Sequence, residues 1–198
     1  MHPKIVILYI HGFGSRFDPQ SDKVKALSCL GNVKGITVDY TTMPSLIEKQ
    51  LMSACTDFQV DLIVGTSLGG YWANRIGVQI GVPFVSINPA ISPNSTLQKY
   101  IGCGQTYYGD NYELTSKTVD AYADFFAQGC GLILLDMADE LLDSIATKNR
   151  LKDKFKVHCF DGGTHRFSHM NEAIPIIEEF VSDTELIYGV VNETDINH

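Results

Sequence analysis

The densest chemical signal in this 198-residue chain is Gly65-Thr66-Ser67-Leu68-Gly69-Gly70. It follows the apolar residues 62–64 and precedes a helical pattern, so it has the G-x-S-x-G spacing in the strand-turn-helix setting that exposes a serine nucleophile. A serine at the tip of so sharp a turn has a strained backbone. Gly65 and Gly69 lie two residues to either side, where side chains would collide across the turn. The following helix points its amino end at Ser67 and leaves the Leu68 N–H free to donate to a developing oxyanion. Upstream, Tyr9-Ile10-His11-Gly12-Phe13 ends the first apolar run. His11 and Gly12 there let the Phe13 N–H face the same place as a second donor, although a plain strand-to-loop turn with a structural histidine has the same sequence. Gly12-x-Gly14 with Asp39 further on is also part of a dinucleotide fingerprint. Phe17 at the third glycine position removes the close helix packing that this motif needs.

A serine hydroxyl needs a base to act as a nucleophile. In the elbow arrangement the chain order is serine, acid, histidine. Asp139 follows the apolar run 132–136, and His165 follows the run 155–160 behind Gly162 and Gly163, which give its loop freedom to turn toward Ser67. Asp136, Asp143 and Asp161 compete for the acid's role. Asp139 is preferred because a loop residue can aim at the imidazole, whereas Asp143 suits a solvated helix face. Among the histidines His169 is the rival, and His158 alternates within a strand as a structural residue would. The His165-x-x-x-His169 spacing lacks the glutamate of a zinc-protease helix and falls in a loop, so no metal is expected. No cofactor is expected either.

These residues need a scaffold that brings four strand ends together. Short apolar runs stand at 5–10, 35–40, 61–65, 83–88, 132–136 and 155–160, and several are continuous, as strands buried on both faces are. Helical patterns alternate with them at 22–30 (capped by Ser21), 46–54 (opened by a Ser45/Glu48 capping box), 69–80, 119–128, 141–151 and 171–181. Such alternation predicts one domain over residues 1–198, an α/β fold with a mostly parallel sheet of about six strands and helices on both faces. Ligands then bind beyond the carboxyl ends of the strands, where Ser67, Asp139 and His165 fall. Residues 89–118 show no periodicity and are rich in Gly, Pro and Tyr. They are expected to form a lid, a pocket insertion or a surface excursion. Phe13, Phe17, Tyr107, Tyr108 and Met170 are candidates for an apolar pocket wall. A partly disordered tail is expected at 183–198.

Apolar residues make up 44% and charged residues 19% of the chain, which excludes general disorder and fibrous repeats. The net charge of −8 disfavours nucleic acid and anionic membrane surfaces as partners. Five scattered cysteines without a C-x-x-C pair argue against a disulfide scaffold or structural zinc site. The apolar run at 5–10 is too short for a secretion signal, and no stretch approaches the ~20 apolar residues of a membrane span, so the cytoplasm is the expected compartment.

Taken together, the chain resembles the α/β-hydrolase superfamily, and within it the YqiA/YcfP-like family of small bacterial esterases. The matching text is Tyr9-Ile10-His11-Gly12-Phe13 with Ser15, then Gly65 through Ala73, Asn88-Pro89-Ala90, Asp139-Glu140 with Leu142-Asp143, and Gly163-Thr164-His165-Arg166-Phe167. The resemblance implies a compact hydrolase with a minimal cap, a Ser67–Asp139–His165 triad, and activity on small acyl esters or thioesters as the partner molecules. The same scaffold also serves binding proteins that keep an acyl ligand without turning it over, and acyl transfer to an alcohol or amine would use the same residues.

Overall fold

A computed structural model of the chain describes residues 5–194, with side chains to residue 184. Six strands form one all-parallel sheet: β1 (Ile5–Ile10), β2 (Gly31–Lys34), β3 (Leu62–Thr66), β4 (Phe84–Ile87), β7 (Gly131–Asp136) and β8 (Lys156–Phe160), in the order β2-β1-β3-β4-β7-β8. Every residue of β4 and β7 is buried, because helices cover both faces. The period-2 alternation of side chains splits the core in two. Leu8, Ile10, Ile63, Phe84, Ile133 and Leu135 face one cluster, completed by α2 (Pro44–Phe58), α3 (Leu68–Ile80) and α6 (Ser144–Leu151). Ile7, Tyr9, Val64, Val85, Leu132 and Leu134 face the other, under α1 (Asp22–Leu27) and α7 (Met170–Thr194).

After β1 the chain steps outward to β2 and then returns across β1 to β3. The strand order reverses there, which opens a crevice beyond the carboxyl ends of β1 and β3. Residues 11–13 and Ser67 stand at that crevice. Among the described residues, no helix is long and apolar enough to cross a membrane.

Several elements differ from the sequence expectation. The second strand is Gly31–Lys34, not 35–40. Val38 and Tyr40 are buried, which made that run look like a strand, but their stretch is a loop held against His11. The Ser45/Glu48 capping box does not form. Met43 is the N-cap without a side-chain bond, Pro44 begins the helix, and Glu48 instead accepts from Gln79 at 2.8 Å. Ser21 does cap α1, which ends at Leu27. The helix expected at 119–128 is only α5 (Ser116–Asp120). Its spaced aromatics pack on α3 and β4 through Tyr122 and Phe125, and the Asn74 amide replaces helix bonding by donating to Phe126 O at 3.0 Å and accepting from Phe126 N at 2.8 Å. The helix expected from 141 starts at Ser144. Asp143 is solvated as expected, but it is the helix's N-cap, accepting from Ala146 N at 2.8 Å, and not a residue of the helix face. The expected tail is helical through Thr194, and 195–198 lie outside the described residues.

Residues 89–118 fold as a short helix α4 (Pro93–Thr96), one 3₁₀ turn (Gln98–Tyr100) and an antiparallel hairpin of β5 (Gly102–Gln105) and β6 (Asn111–Leu114). The hairpin tip returns to the crevice, where Tyr107 N donates to Gly14 O at 2.8 Å.

Candidate active site

Ser67 joins β3 to α3 with φ 56° and ψ −120°, a conformation that strains any residue with a Cβ. The strain is held by close packing on either side. A Cβ on Gly65 would run into the Gly69 carbonyl, and one on Gly69 into the Ile10 carbonyl. The Ser67 carbonyl accepts from Gly70 N, Tyr71 N and Ala90 N, so the turn is closed from the helix and from the loop after β4.

The three residues singled out in the sequence come together. His165 Nε2 lies 2.9 Å from Ser67 Oγ, and His165 Nδ1 lies 2.8 Å from Asp139 Oδ2. Asp139 has no exposed side-chain surface. Its Oδ1 also accepts from Leu141 N at 2.8 Å and Leu142 N at 2.9 Å. Burial alone would raise its pKa. The bond from His165 and the two backbone N–H groups outweigh burial, and the carboxyl is held below its ordinary value. An ionised Asp139 fixes the proton of His165 on Nδ1, which leaves Nε2 as an acceptor for the serine hydroxyl.

The two residues expected to supply the oxyanion donors border the same cavity as Ser67 and His165. Phe13 and Leu68 line it, and among the described residues neither N–H has a backbone or side-chain acceptor. His11 braces this loop. Its Nδ1 donates to Gly12 O at 2.8 Å and its Nε2 accepts from Val38 N at 2.9 Å, so it carries one proton and is neutral. Burial lowers its pKa, against a smaller upward pull from the Gly12 carbonyl. Tyr40 OH donates to His11 O. His11 is therefore a support for Gly12 and Phe13, with no free nitrogen for proton transfer.

Asp136 does not touch His165. It is fully buried beneath the His165 loop, where Oδ2 accepts from Ser168 N at 2.7 Å and Thr164 N at 3.0 Å, and Oδ1 from His169 Nδ1 at 2.7 Å. A Cβ on Gly163 would collide with that carboxylate, so the glycine at φ 76° lets the loop wrap it. His169 thus holds the loop, and its ring stacks on Phe160. Two further supports stand among the residues of the family resemblance, but sequence reasoning gave them no role. Asn88 at φ 42° donates to Thr164 O at 3.0 Å and His165 O at 3.2 Å, and accepts from Asp136 N at 2.9 Å. Glu140 Oε2 accepts from His165 N at 2.9 Å. An asparagine directly after a buried strand was the available signal for Asn88, because this residue tolerates positive φ. His158 packs on Phe160 within β8.

Ser67 and His165 stand between two chambers. The first is a cavity of about 170 Å³ with mainly apolar walls, among them Phe13, Leu97, Tyr100, Leu141 and Leu142. The second, about 360 Å³, is polar and lined by Arg16, Lys23, Arg166 and Tyr108. Tyr107 borders both. The insertion at 89–118 supplies much of the apolar wall, and Phe13 packs on its Tyr100 and Tyr112. Of the expected wall residues, Phe13 and Tyr107 line both chambers and Tyr108 the polar one. Phe17 and Met170 do neither; both belong to the core under α1 and α7.

A parallel sheet in the order 2-1-3-4-7-8, with a strained serine after the third strand and an acid and a histidine after the last two, defines an α/β-hydrolase fold. Solved structures share it. Est1E from Butyrivibrio proteoclasticus superposes with a TM-score of 0.71 at 16% identity, over 92% of this chain and 89% of that one. The α/β-hydrolase domain-containing protein 10 from mouse gives 0.67 at 14% identity, over 90% of each chain. The chain belongs to the uncharacterised protein family UPF0227, whose model matches residues 6–182. A UPF0227 protein from Shewanella is 29% identical over 185 residues, covering 88% of this chain and 98% of its own. The family resemblance drawn from the motifs is thereby borne out.

Proposed function

We propose that the chain hydrolyses small carboxylic esters or thioesters through an acyl-enzyme on Ser67. The observation that carries this reading is the unbroken hydrogen-bond chain from Asp139 through His165 to Ser67, beside two N–H groups without acceptors. His165 Nε2 takes the hydroxyl proton as Ser67 Oγ attacks the acyl carbonyl. The carbonyl oxygen becomes an oxyanion held by the Phe13 and Leu68 N–H groups. Asp139 stabilises the imidazolium without taking its proton. The bond to the alkoxide or thiolate then breaks, and His165 returns the proton to the leaving group. Water, deprotonated by the same nitrogen, cleaves the acyl-serine.

The test is steady-state hydrolysis of p-nitrophenyl butyrate by the wild type and by Ser67→Ala. The expected loss in kcat is about 10⁴-fold or more. A Ser67→Ala protein that keeps wild-type turnover would exclude the mechanism.

A further inference from the structure

The polar chamber beside Ser67 is unusual for a chain of net charge −8. Arg16, Lys23 and Arg166 all line it, together with Ser67 and His165. Among the described residues, none of the three cationic groups has a carboxylate oxygen within 4.0 Å, and none donates a hydrogen bond. Arginine and lysine on an acidic protein readily find carboxylates, as Arg150 and Lys156 do here at 2.9 and 3.0 Å. Two of the three are oriented instead by aromatic faces. The Arg16 guanidinium lies 3.8 Å from the Tyr108 ring centre, and that of Arg166 lies 5.1 Å from the Tyr107 ring centre. Both tyrosines sit at the hairpin tip of the insertion, so the same segment that walls the apolar chamber also aims the cations of the polar one. Such a face leaves guanidinium N–H donors free for a planar or tetrahedral anion. Lys23 is half-buried and responds to its surroundings: burial, and then the charge of Arg166, lower its pKa, against weaker opposing pulls from Asp22 and Asp136. An anion in the chamber would relieve that repulsion.

We propose that Arg16, Lys23 and Arg166 form a subsite for an anionic group, a carboxylate or a phosphate, carried on the alcohol or thiol half of the substrate. This rests on the hydrolase reading above and specifies its substrate class. The acyl half occupies the apolar chamber walled by Phe13, Leu97 and Leu142. The leaving group, on the other side of Ser67, extends past Tyr107 into the cationic chamber. The substrates are then acidic esters or thioesters, and neutral lipids are poor ones.

The experiment compares two acetyl esters of nearly equal shape that differ by one charge, 4-acetoxybenzoate and 4-acetoxybenzamide. Each kcat/KM is divided by the rate of spontaneous hydrolysis. The subsite predicts a preference for the charged ester of about tenfold or more. Preference should shrink as salt approaches roughly 1 M, where the Debye length is about 3 Å. It should collapse toward unity in the Arg16→Gln/Arg166→Gln double variant and weaken in Lys23→Gln. Arg16 and Arg166 are exposed, so their replacement leaves the fold stable, which thermal melting checks. 4-Acetoxyphenyl phosphate separates the two anions: a larger preference for it assigns the subsite to phosphate, a smaller one to carboxylate. Equal normalised rates, from an enzyme that does hydrolyse the neutral ester, overturn the subsite and leave the hydrolase reading standing. If neither ester turns over, the hydrolase reading fails, and calorimetry with 4-hydroxybenzoate and phenyl phosphate decides the subsite. Binding lost in the double variant supports it, and no binding overturns it.

Discussion

Replacing Asp139 with asparagine should silence the site and leave the fold nearly intact. Asp139 Oδ1 accepts from Leu141 N and Leu142 N, and Oδ2 accepts from His165 Nδ1 at 2.8 Å. Asparagine has the same shape and a single acceptor oxygen. That oxygen can stay on the two backbone N–H groups, which turns the amide NH₂ toward His165. An NH₂ group cannot accept, so the imidazole must place its proton on Nε2. Nε2 then donates toward Ser67 Oγ and can no longer take its proton. The equivalent change in serine-protease triads costs about 10⁴ in kcat, or roughly 5.5 kcal/mol of barrier, and the same loss is expected here. Stability loses one charge-assisted bond, about 1–3 kcal/mol, which for this chain length is a fall in Tm of about 2–12 °C. Asp136→Asn is the matched control. Its oxygen can keep Thr164 N and Ser168 N while its NH₂ donates to the unprotonated His169 Nδ1, so kcat should fall less than about tenfold. Kinetics with p-nitrophenyl butyrate and thermal melts of both variants decide the matter. An Asp139→Asn protein with more than about a tenth of wild-type kcat would refute the tautomer argument. An Asp136→Asn protein as inactive as Asp139→Asn would transfer the acid's role to Asp136.

Two further outcomes follow from the geometry. Gly65→Ala would force a methyl group into the Gly69 carbonyl, so the elbow must open; a loss of about 3 kcal/mol or more is expected, read as a Tm lowered by roughly 6–12 °C, and an unchanged Tm would contradict the packing described. The bond from His169 to Asp136 raises the His169 pKa above 6.5, so its contribution to stability is complete below pH 6.5 and disappears as pH rises through the higher folded value. His169→Gln should therefore flatten the decline of Tm as pH rises above about 6.5, and an identical pH profile in that variant would refute the assignment. Asp139 behaves oppositely: its lowered pKa contributes stability above its ordinary 3.8, lost as pH falls through the folded value.

Ser67, Asp139 and His165, which the structure brings within hydrogen-bond reach of one another, were legible because each is tied to local chemistry. Gly65 and Gly69 report a turn that excludes side chains, and the acid and histidine must follow later strands in the elbow arrangement. The buried strands were legible from unbroken apolar runs. The failures came where burial and periodicity part company. Val38 and Tyr40 are buried in a loop, since a loop that braces the buried His11 needs apolar contacts as a strand does. Tyr122 and Phe125 have helical spacing, yet a single Asn74 amide satisfies the backbone at Phe126 and no helix is required. The roles of Asp136, Asn88 and Glu140 rest on side chains reaching backbone groups 25 to 77 residues away, which no local pattern encodes. The convergence of Arg16, Lys23 and Arg166 is equally non-local, because it joins the loop after β1, α1 and the loop after β8 at one crevice.

The central claim is an activated serine at position 67. Its most direct test is labelling of the purified protein with a fluorophosphonate, with the modified peptide mapped by mass spectrometry. The account predicts one adduct, on Ser67, that forms slowly or not at all in His165→Ala. A folded wild-type protein that resists the reagent, or that carries its adduct on another residue, would contradict it.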